Sequence, residues 1–445
     1  MASISHFFDR IAAGAAIRLQ NPGKISNPSV VRSEPRQFSR DGGALCQLRY
    51  SIVVSIDSTI YAMNTDLLCF SHLRWNFVYQ RPQHLMSRFA RQGRVFFIEE
   101  PKFDSTSGNN IEVKECEDGL QVVVPHLNNK WRDREDVAEV VANLLTQMMS
   151  EQHVRRYIAW FYTPMFLPVQ EKLPEAELVL YDCMDELSAF KNAPPDLIHR
   201  ERLLFERADL VFTGGYSLYH AKKDFHADIH PFPSSIDQQH FGKARETQPA
   251  LADQDTIPTP RIGFFGVIDE RLDIGLLGEM AGMRPDWHFI VIGPTVKIDP
   301  ETLPKNGNIH YLGSKSYNEL PQYLAGWDVA MIPFALNEST KFISPTKTPE
   351  YLAGGKPVVA TPIQDIVDPY GKRGLVRIAA TAEEFVKEIE DFLSMDDTSP
   401  WLGNVDRFLE RNSWDITWEK MLALINSRLI AAQLSYLPVK NRNYV

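Results

Sequence analysis

From Asp66 onward the chain alternates short apolar runs with stretches of helical period, which predicts an α/β protein. Asp66 to Ser71 reads as a buried strand, Arg81 to Gly93 as a helix with Pro82 in its first turn, and Arg94 to Glu100 as the next strand. Gln121–Pro125, Tyr157–Tyr162, Glu177–Tyr181 and Asp209–Thr213 supply further strands, with helices over Arg134–Gln152 and Asp196–Ala208. After a polar, proline-containing stretch the pattern restarts. Strands are predicted at Arg261–Gly266, His288–Gly293, His310–Leu312, Asp328–Phe334, Pro357–Thr361 and Leu375–Ala379, with helices at Leu272–Met283 and Tyr317–Trp327. Short apolar strands separated by helices imply parallel sheets covered on both faces.

The expected organisation follows. Residues 1–62 lack sustained periodicity and read as a disordered extension or a misassigned reading frame, with Met63 as an alternative start. Residues 63–241 form one Rossmann-like domain, 242–260 a linker, 261–400 a second Rossmann-like domain, 401–430 helices returning to the first domain, and 431–445 a tail. A ligand is expected where the carboxyl ends of the two sheets face each other.

With 445 residues, 44% hydrophobic and 23% charged, the chain can bury sizeable cores. A net charge of −10 with a pI near 5.7 argues against nucleic-acid binding through phosphate neutralisation. Cys46, Cys69, Cys116 and Cys183 are dispersed and lack metal-site spacing, which fits a reducing cytoplasm. No apolar run reaches the roughly 20 residues of a membrane helix, and the basic N-terminus lacks the apolar core of a secretory signal.

The densest chemistry lies in Ser344-Pro-Thr-Lys-Thr-Pro-Glu350, followed by Tyr-Leu-Ala-Gly-Gly355 and the apolar run Pro357–Thr361. Hydroxyl residues and prolines ahead of a helical turn predict a helix N-terminus, whose free N–H groups suit a phosphate. Glu350, in the first turns, has the chemistry to accept hydrogen bonds from two vicinal hydroxyls, so a ribose beside a diphosphate satisfies both halves. Asp253-Gln-Asp255 has the letters of a metal-binding D-x-D motif but follows no strand, and no metal site is assigned.

Together, Ser344–Thr361, Gly266–Arg271 and Pro369–Gly371 resemble the donor half of a GT-B glycosyltransferase, in the broad group that includes glycosyltransferase family 4. In the first half the resemblance extends to Phe70–His84, Tyr181–Glu186, Ala208–Thr213 and Pro231–Asp237, and it covers most of Asp66 to Ile425. It implies two facing Rossmann-like domains, a UDP- or GDP-linked sugar donor as substrate, no cofactor, and a glycan or glycolipid acceptor. By position it places Gly266, Arg271, Ser344, Pro345, Thr346, Lys347 and Glu350 at the donor, with Glu350 on the ribose and Arg271 and Lys347 neutralising the departing diphosphate. Two positions depart from the family pattern. Phe342 stands where a second glutamate is expected near the sugar, leaving Asn337 or Glu338 as substitutes, and Val267 replaces the first expected basic residue.

His72, directly after the first strand, is expected to face the cleft as a base in an inverting reaction or a hydrogen-bonding group on the sugar. Arg74, Trp75, Arg81, Asp182 and Asp185 are the acceptor-binding candidates; for Arg81, as for Gln83 and His84, helix capping and packing is an equal alternative, and of Asp182, Asp185 and Glu186 at least one is expected to line the cleft while the others cap. For Arg74 and Trp75 a surface charge and an anchoring ring are the alternatives. The aromatic run Tyr157–Tyr162 is read as a central strand. The expected activity is metal-independent, retaining sugar transfer in polysaccharide or cell-surface glycan synthesis, in the cytoplasm or at the inner membrane face. Alternatives are a sugar-nucleotide epimerase on the same scaffold and a binding subunit without transfer activity, toward which Phe342 points.

Overall fold

The computed structural model describes residues 65–116, 119–132 and 134–436. The expectations for residues 1–62, for Met63 and Cys46, and for the end of the 431–445 tail lie outside the described residues. Two sheets carry the fold. The first orders its strands β3-β5-β2-β1-β6-β7-β8-β9, where β1 is Asp66–Ser71, β2 Val95–Glu99, β3 Lys102–Ser105, β5 Gln121–Asn128, β6 Tyr157–Phe161, β7 Leu178–Cys183, β8 Leu210–Thr213 and β9 Ile229–Pro231. The remaining strand, β4 (Asn110–Glu115), runs antiparallel to β5, and the other pairings are parallel. The second sheet is wholly parallel, β12-β11-β10-β13-β14-β15, formed by β10 (Arg261–Phe265), β11 (His288–Ile292), β12 (Ile309–Gly313), β13 (Val329–Ile332), β14 (Val358–Ala360) and β15 (Arg377–Ile378).

The central strands are apolar throughout because helices cover both faces of each sheet. Leu68, Phe70, Phe96 and Ala159 bury on one face of the first sheet; Leu67, Cys69, Phe97 and Trp160 bury on the other. The expected helix over Tyr317–Trp327 is a turn of 3-10 helix at Tyr317–Glu319 followed by Leu320–Ala325. Beyond the second sheet, the helix Ser399–Leu409 adds Val405 and Leu409 to the second domain's core. The helix Trp414–Tyr436 then crosses to the first domain, where Trp414, Met421, Ile425 and Leu429 pack with Leu85, Phe89 and Trp160. Arg88 fixes its start through paired bonds to Asp415, of 2.8 and 3.1 Å.

This topology decides where a ligand fits. Strand order reverses on either side of β1, which pairs with β2 and β6, and on either side of β10, which pairs with β11 and β13. A crevice opens outside the carboxyl ends of such strands. His72 follows β1 and Gly266 follows β10. Among the described residues no helix is long and apolar enough to cross a membrane.

Candidate active site

At the end of β10, Gly266 has φ +149° and a β-carbon there would stand 2.1 Å from Lys347 Cε. Only glycine accepts both that backbone and the lysine lying across it. Lys347 starts the helix Lys347–Ala353, and its ammonium lies 5.7 and 5.6 Å from the ring centres of Phe264 and Phe334. No described residue gives it a hydrogen bond or an ion pair. Burial, then the neighbouring Arg271, lower its pKa to about 8, against the pull of Glu350, Asp269 and Asp185.

Glu350 is buried, and burial raises its carboxyl to about 7 while Lys347 and the Thr346 hydroxyl oppose the shift. Thr346 occupies the N-cap without a capping side-chain bond, and the helix has only seven residues. Helix-end donors therefore count for less here than expected, and positive charge comes chiefly from Lys347 and Arg271. Arg245 holds the other end of the helix through Nε to the Ala353 carbonyl, 2.7 Å, and Nη2 to that of Leu352, 3.2 Å. Ser344 is tied to the first domain, its Oγ accepting from Ser234 N at 3.2 Å and its carbonyl from the Ser234 hydroxyl. Pro345 sets the turn, its carbonyl accepting from Thr348 N at 3.2 Å.

Arg271 bonds Asp269 with Nε, 2.9 Å, and Nη2, 2.7 Å, which offsets part of its charge and leaves Nη1 unbonded among the described residues. The face opposite comes from the first domain. Asp185 is raised to about 6 by burial, against the attraction of Arg271 and Arg81. His72 falls to about 4 through burial and through Lys297 across the cleft, against a bond with the Tyr162 backbone, and its Nδ1 is buried without a hydrogen-bond partner.

A strap after β7 joins the two faces. Phe190 lies 5.5 Å from Arg271 and 5.1 Å from the Lys297 ammonium, and Lys191 N donates to Glu270 at 3.1 Å. Its root is pinned by Lys222, which contacts Glu186 and Glu201 at 2.7 Å each. Asp269, Glu270, Phe190 and Lys297 were not identified from sequence. The only local signal was the charged run Asp269-Glu-Arg271 after a strand end.

Three acceptor candidates have packing roles in the structure. Arg81 and Asp182 are buried against each other through bonds of 3.0 and 2.8 Å, and Arg81 also donates to the Phe232 carbonyl at 2.6 Å. Their capacity is spent inside the domain, and breaking such a pair costs about 3–5 kcal/mol. Trp75 is an anchoring ring, packed edge-on against Phe97 at 5.0 Å with its carbonyl held by Gln83. Arg74 stays partly exposed and binds Glu99 at 2.9 Å. Gln83 caps its own helix, and His84 stacks on Trp414 at 4.7 Å. Phe342 packs against the first domain's core, while Glu338 is exposed beside Lys341 and Asn337 bonds the Glu270 carbonyl. Asp253 is taken by Lys315 and Tyr323, and Asp255 by Leu251 N.

Residues 259–395 match the family described as glycosyl transferases group 1. The putative teichuronic acid biosynthesis glycosyltransferase TuaH of Bacillus subtilis (strain 168) is 25% identical over 224 residues, covering 46% of this chain and 55% of that protein. The chain thus matches about half of that relative's length. Among solved structures, an α,α-trehalose-phosphate synthase (UDP-forming) from Burkholderia vietnamiensis superposes with a TM-score of 0.60 at 14% identity, over 83% of this chain and 98% of that one. Sucrose-phosphate synthase from Thermosynechococcus elongatus gives 0.58 at 13% identity, over 83% and 100%. An E. coli structure described as trehalose-6-phosphate bound with UDP-2-fluoro glucose gives 0.59 at 12%, over 81% and 99%. These likenesses establish the fold, two Rossmann-like domains in the GT-B arrangement.

Proposed function

We propose that the whole chain, of which residues 259–395 match the family described as glycosyl transferases group 1, transfers a sugar from a nucleotide diphosphate to a carbohydrate or glycolipid acceptor. One observation carries this reading: the Lys347 ammonium, without a hydrogen-bond partner among the described residues, lies over Gly266 beside Arg271. Two neighbouring cations, one of them partly buried and unpaired, seat a compact polyanion. Glu350, three residues on, suits the ribose hydroxyls of a nucleotide. UDP is favoured as the leaving group by the UDP named in the descriptions of two fold neighbours.

In the reaction the bond between the sugar's anomeric carbon and the diphosphate oxygen breaks, and its electron pair stays on the diphosphate. Lys347 and Arg271 stabilise that developing charge. The acceptor hydroxyl bonds to the anomeric carbon and gives up its proton. His72, lowered to about 4, is poorly matched to removing that proton near neutral pH. A diphosphate oxygen is the better receiver, which favours retention and gives His72 a hydrogen-bonding role on the sugar. The teichuronic acid biosynthesis role in the relative's name favours an acceptor in cell-surface polysaccharide synthesis.

Thermal-shift measurements with UDP, GDP, ADP and TDP sugars, on wild type and Glu350→Ala, test the donor assignment. One nucleotide series is expected to raise the melting temperature of wild type and lose that effect in the variant. Stabilisation of both proteins alike, or of neither, overturns it. Donor stabilisation without UDP release over an acceptor panel identifies a binding subunit, and donor conversion without acceptor an epimerase.

A further inference from the structure

In the first domain, the carboxyl end of β2 holds a polar cluster around Arg74. Glu99 and Glu100 are only 5% and 7% exposed. Glu99 is satisfied: its Oε1 accepts from Trp75 N at 2.8 Å and its Oε2 from Arg74 Nη1 at 2.9 Å. The same Nη1 donates to the Glu100 carbonyl at 2.6 Å. Arg74 Nε and Nη2 have no partner among the described residues, and neither has the Glu100 carboxyl. The Glu100 residue is more than nine-tenths buried, and a carboxyl there without a partner among the described residues is open to a polar ligand.

The position fits an acceptor. Ser71 pairs with Glu99 in the β1–β2 register, so Glu100 follows β2 level with His72 after β1, on the crevice side of the sheet. We propose that Glu100 and Arg74 form the acceptor subsite of the first domain and bind adjacent hydroxyls of a sugar, Arg74 donating from Nε or Nη2 and Glu100 both donating and accepting. The proposal rests on the sugar-transfer reading above. Burial, with Glu99 adding to it against Arg74, raises the Glu100 carboxyl to about 8, so it keeps its proton at neutral pH and needs no counter-ion. A protonated carboxyl offers one donor and one acceptor, which a hydroxyl uses in full. The cluster consequently favours a neutral sugar face over an anionic group.

The test is saturation-transfer NMR on the full chain with UDP, using methyl β-glucopyranoside, methyl β-galactopyranoside and methyl N-acetyl-β-glucosaminide as probes. Wild type is expected to give a signal with at least one glycoside. Glu100→Gln, whose amide supplies the same donor and acceptor, is expected to bind within about threefold of wild type, and Glu100→Ala to weaken by about tenfold or more. The UDP-induced melting shift, unchanged in both variants, shows that they are folded with the donor site intact. Equal signals in wild type and Glu100→Ala, or no signal with any glycoside in wild type, overturn the subsite. So does loss in Glu100→Gln as large as in Glu100→Ala. A glycoside signal lost in Glu100→Ala, with no UDP shift in any protein, supports the subsite and overturns the donor assignment instead.

Discussion

Lys347 and Glu350 have pKa values of about 8 and about 7, and each has a proton to exchange with a nucleotide. A bound diphosphate favours the ammonium and raises the Lys347 pKa, so binding that is intact below about 8 is lost as pH rises past it. Ribose hydroxyls favour the carboxylate and lower the Glu350 pKa, so binding that is intact above about 7 is lost as pH falls below it. UDP affinity is therefore expected to peak between the two, with the apparent values belonging to the pair. Calorimetry in buffers of different ionisation enthalpy should show proton uptake on the alkaline side. Lys347→Met should remove the alkaline limb and weaken binding by about 10- to 100-fold, the size of a charge-assisted hydrogen bond. A pH profile that keeps its alkaline limb in Lys347→Met counts against this assignment. Both residues stand out in the sequence because one short segment carries them. For Arg81 and Asp182 the choice between ligand and packing was not legible, because their partnership spans 101 residues and nothing local marks either as already satisfied.

Elements were legible in proportion to their burial. Val95–Glu99 and Val329–Ile332 are buried at every position and appear in the sequence as apolar runs, broken only by the terminal Glu99 of the first. The strands Lys102–Ser105 and Asn110–Glu115 were missed, since they lie at the sheet edge with exposed and half-buried positions alternating among charged residues. Of the 401–430 stretch expected on the first domain, the part within Trp414–Tyr436 lies there, whereas the part within Ser399–Leu409 stays on the second domain. Trp414 marks the crossing, 1% exposed and stacked on His84 at an interplanar angle of 12°. Trp414→Ala is expected to cost about 3–5 kcal/mol in urea titration, with the loss in the first domain's transition. A cost below about 1 kcal/mol would show that the helix crosses without bracing that domain.

Across the whole molecule, the cleft is held shut by contacts that pair one domain's site with the other's. Ser234 bonds Ser344, Ser217 N donates to Asp365 at 3.0 Å, Lys191 bonds Glu270, and Phe342 reaches from the second domain onto the first domain's core. Through this arrangement Asp185 meets Arg271 and Lys297 meets His72, and opening the molecule would separate both pairs. Phe342 is the position where the family resemblance leads one to expect a glutamate near the sugar, and Phe342→Glu separates two accounts of it. If the ring serves closure, a carboxylate against that apolar surface costs several kcal/mol and the domains part. Small-angle scattering should then show a larger radius of gyration, with UDP affinity within about threefold of wild type because its residues sit on the second domain, and with sugar transfer reduced at least tenfold. That is the expected outcome. An unchanged radius with faster transfer would instead give position 342 to the donor sugar, and an unchanged radius with unchanged transfer would remove Phe342 from both roles. The first result would explain how the chain departs from the family pattern at that residue while retaining Lys347 and Glu350: the position bears on how often the cleft is closed, and the second domain still grips the nucleotide.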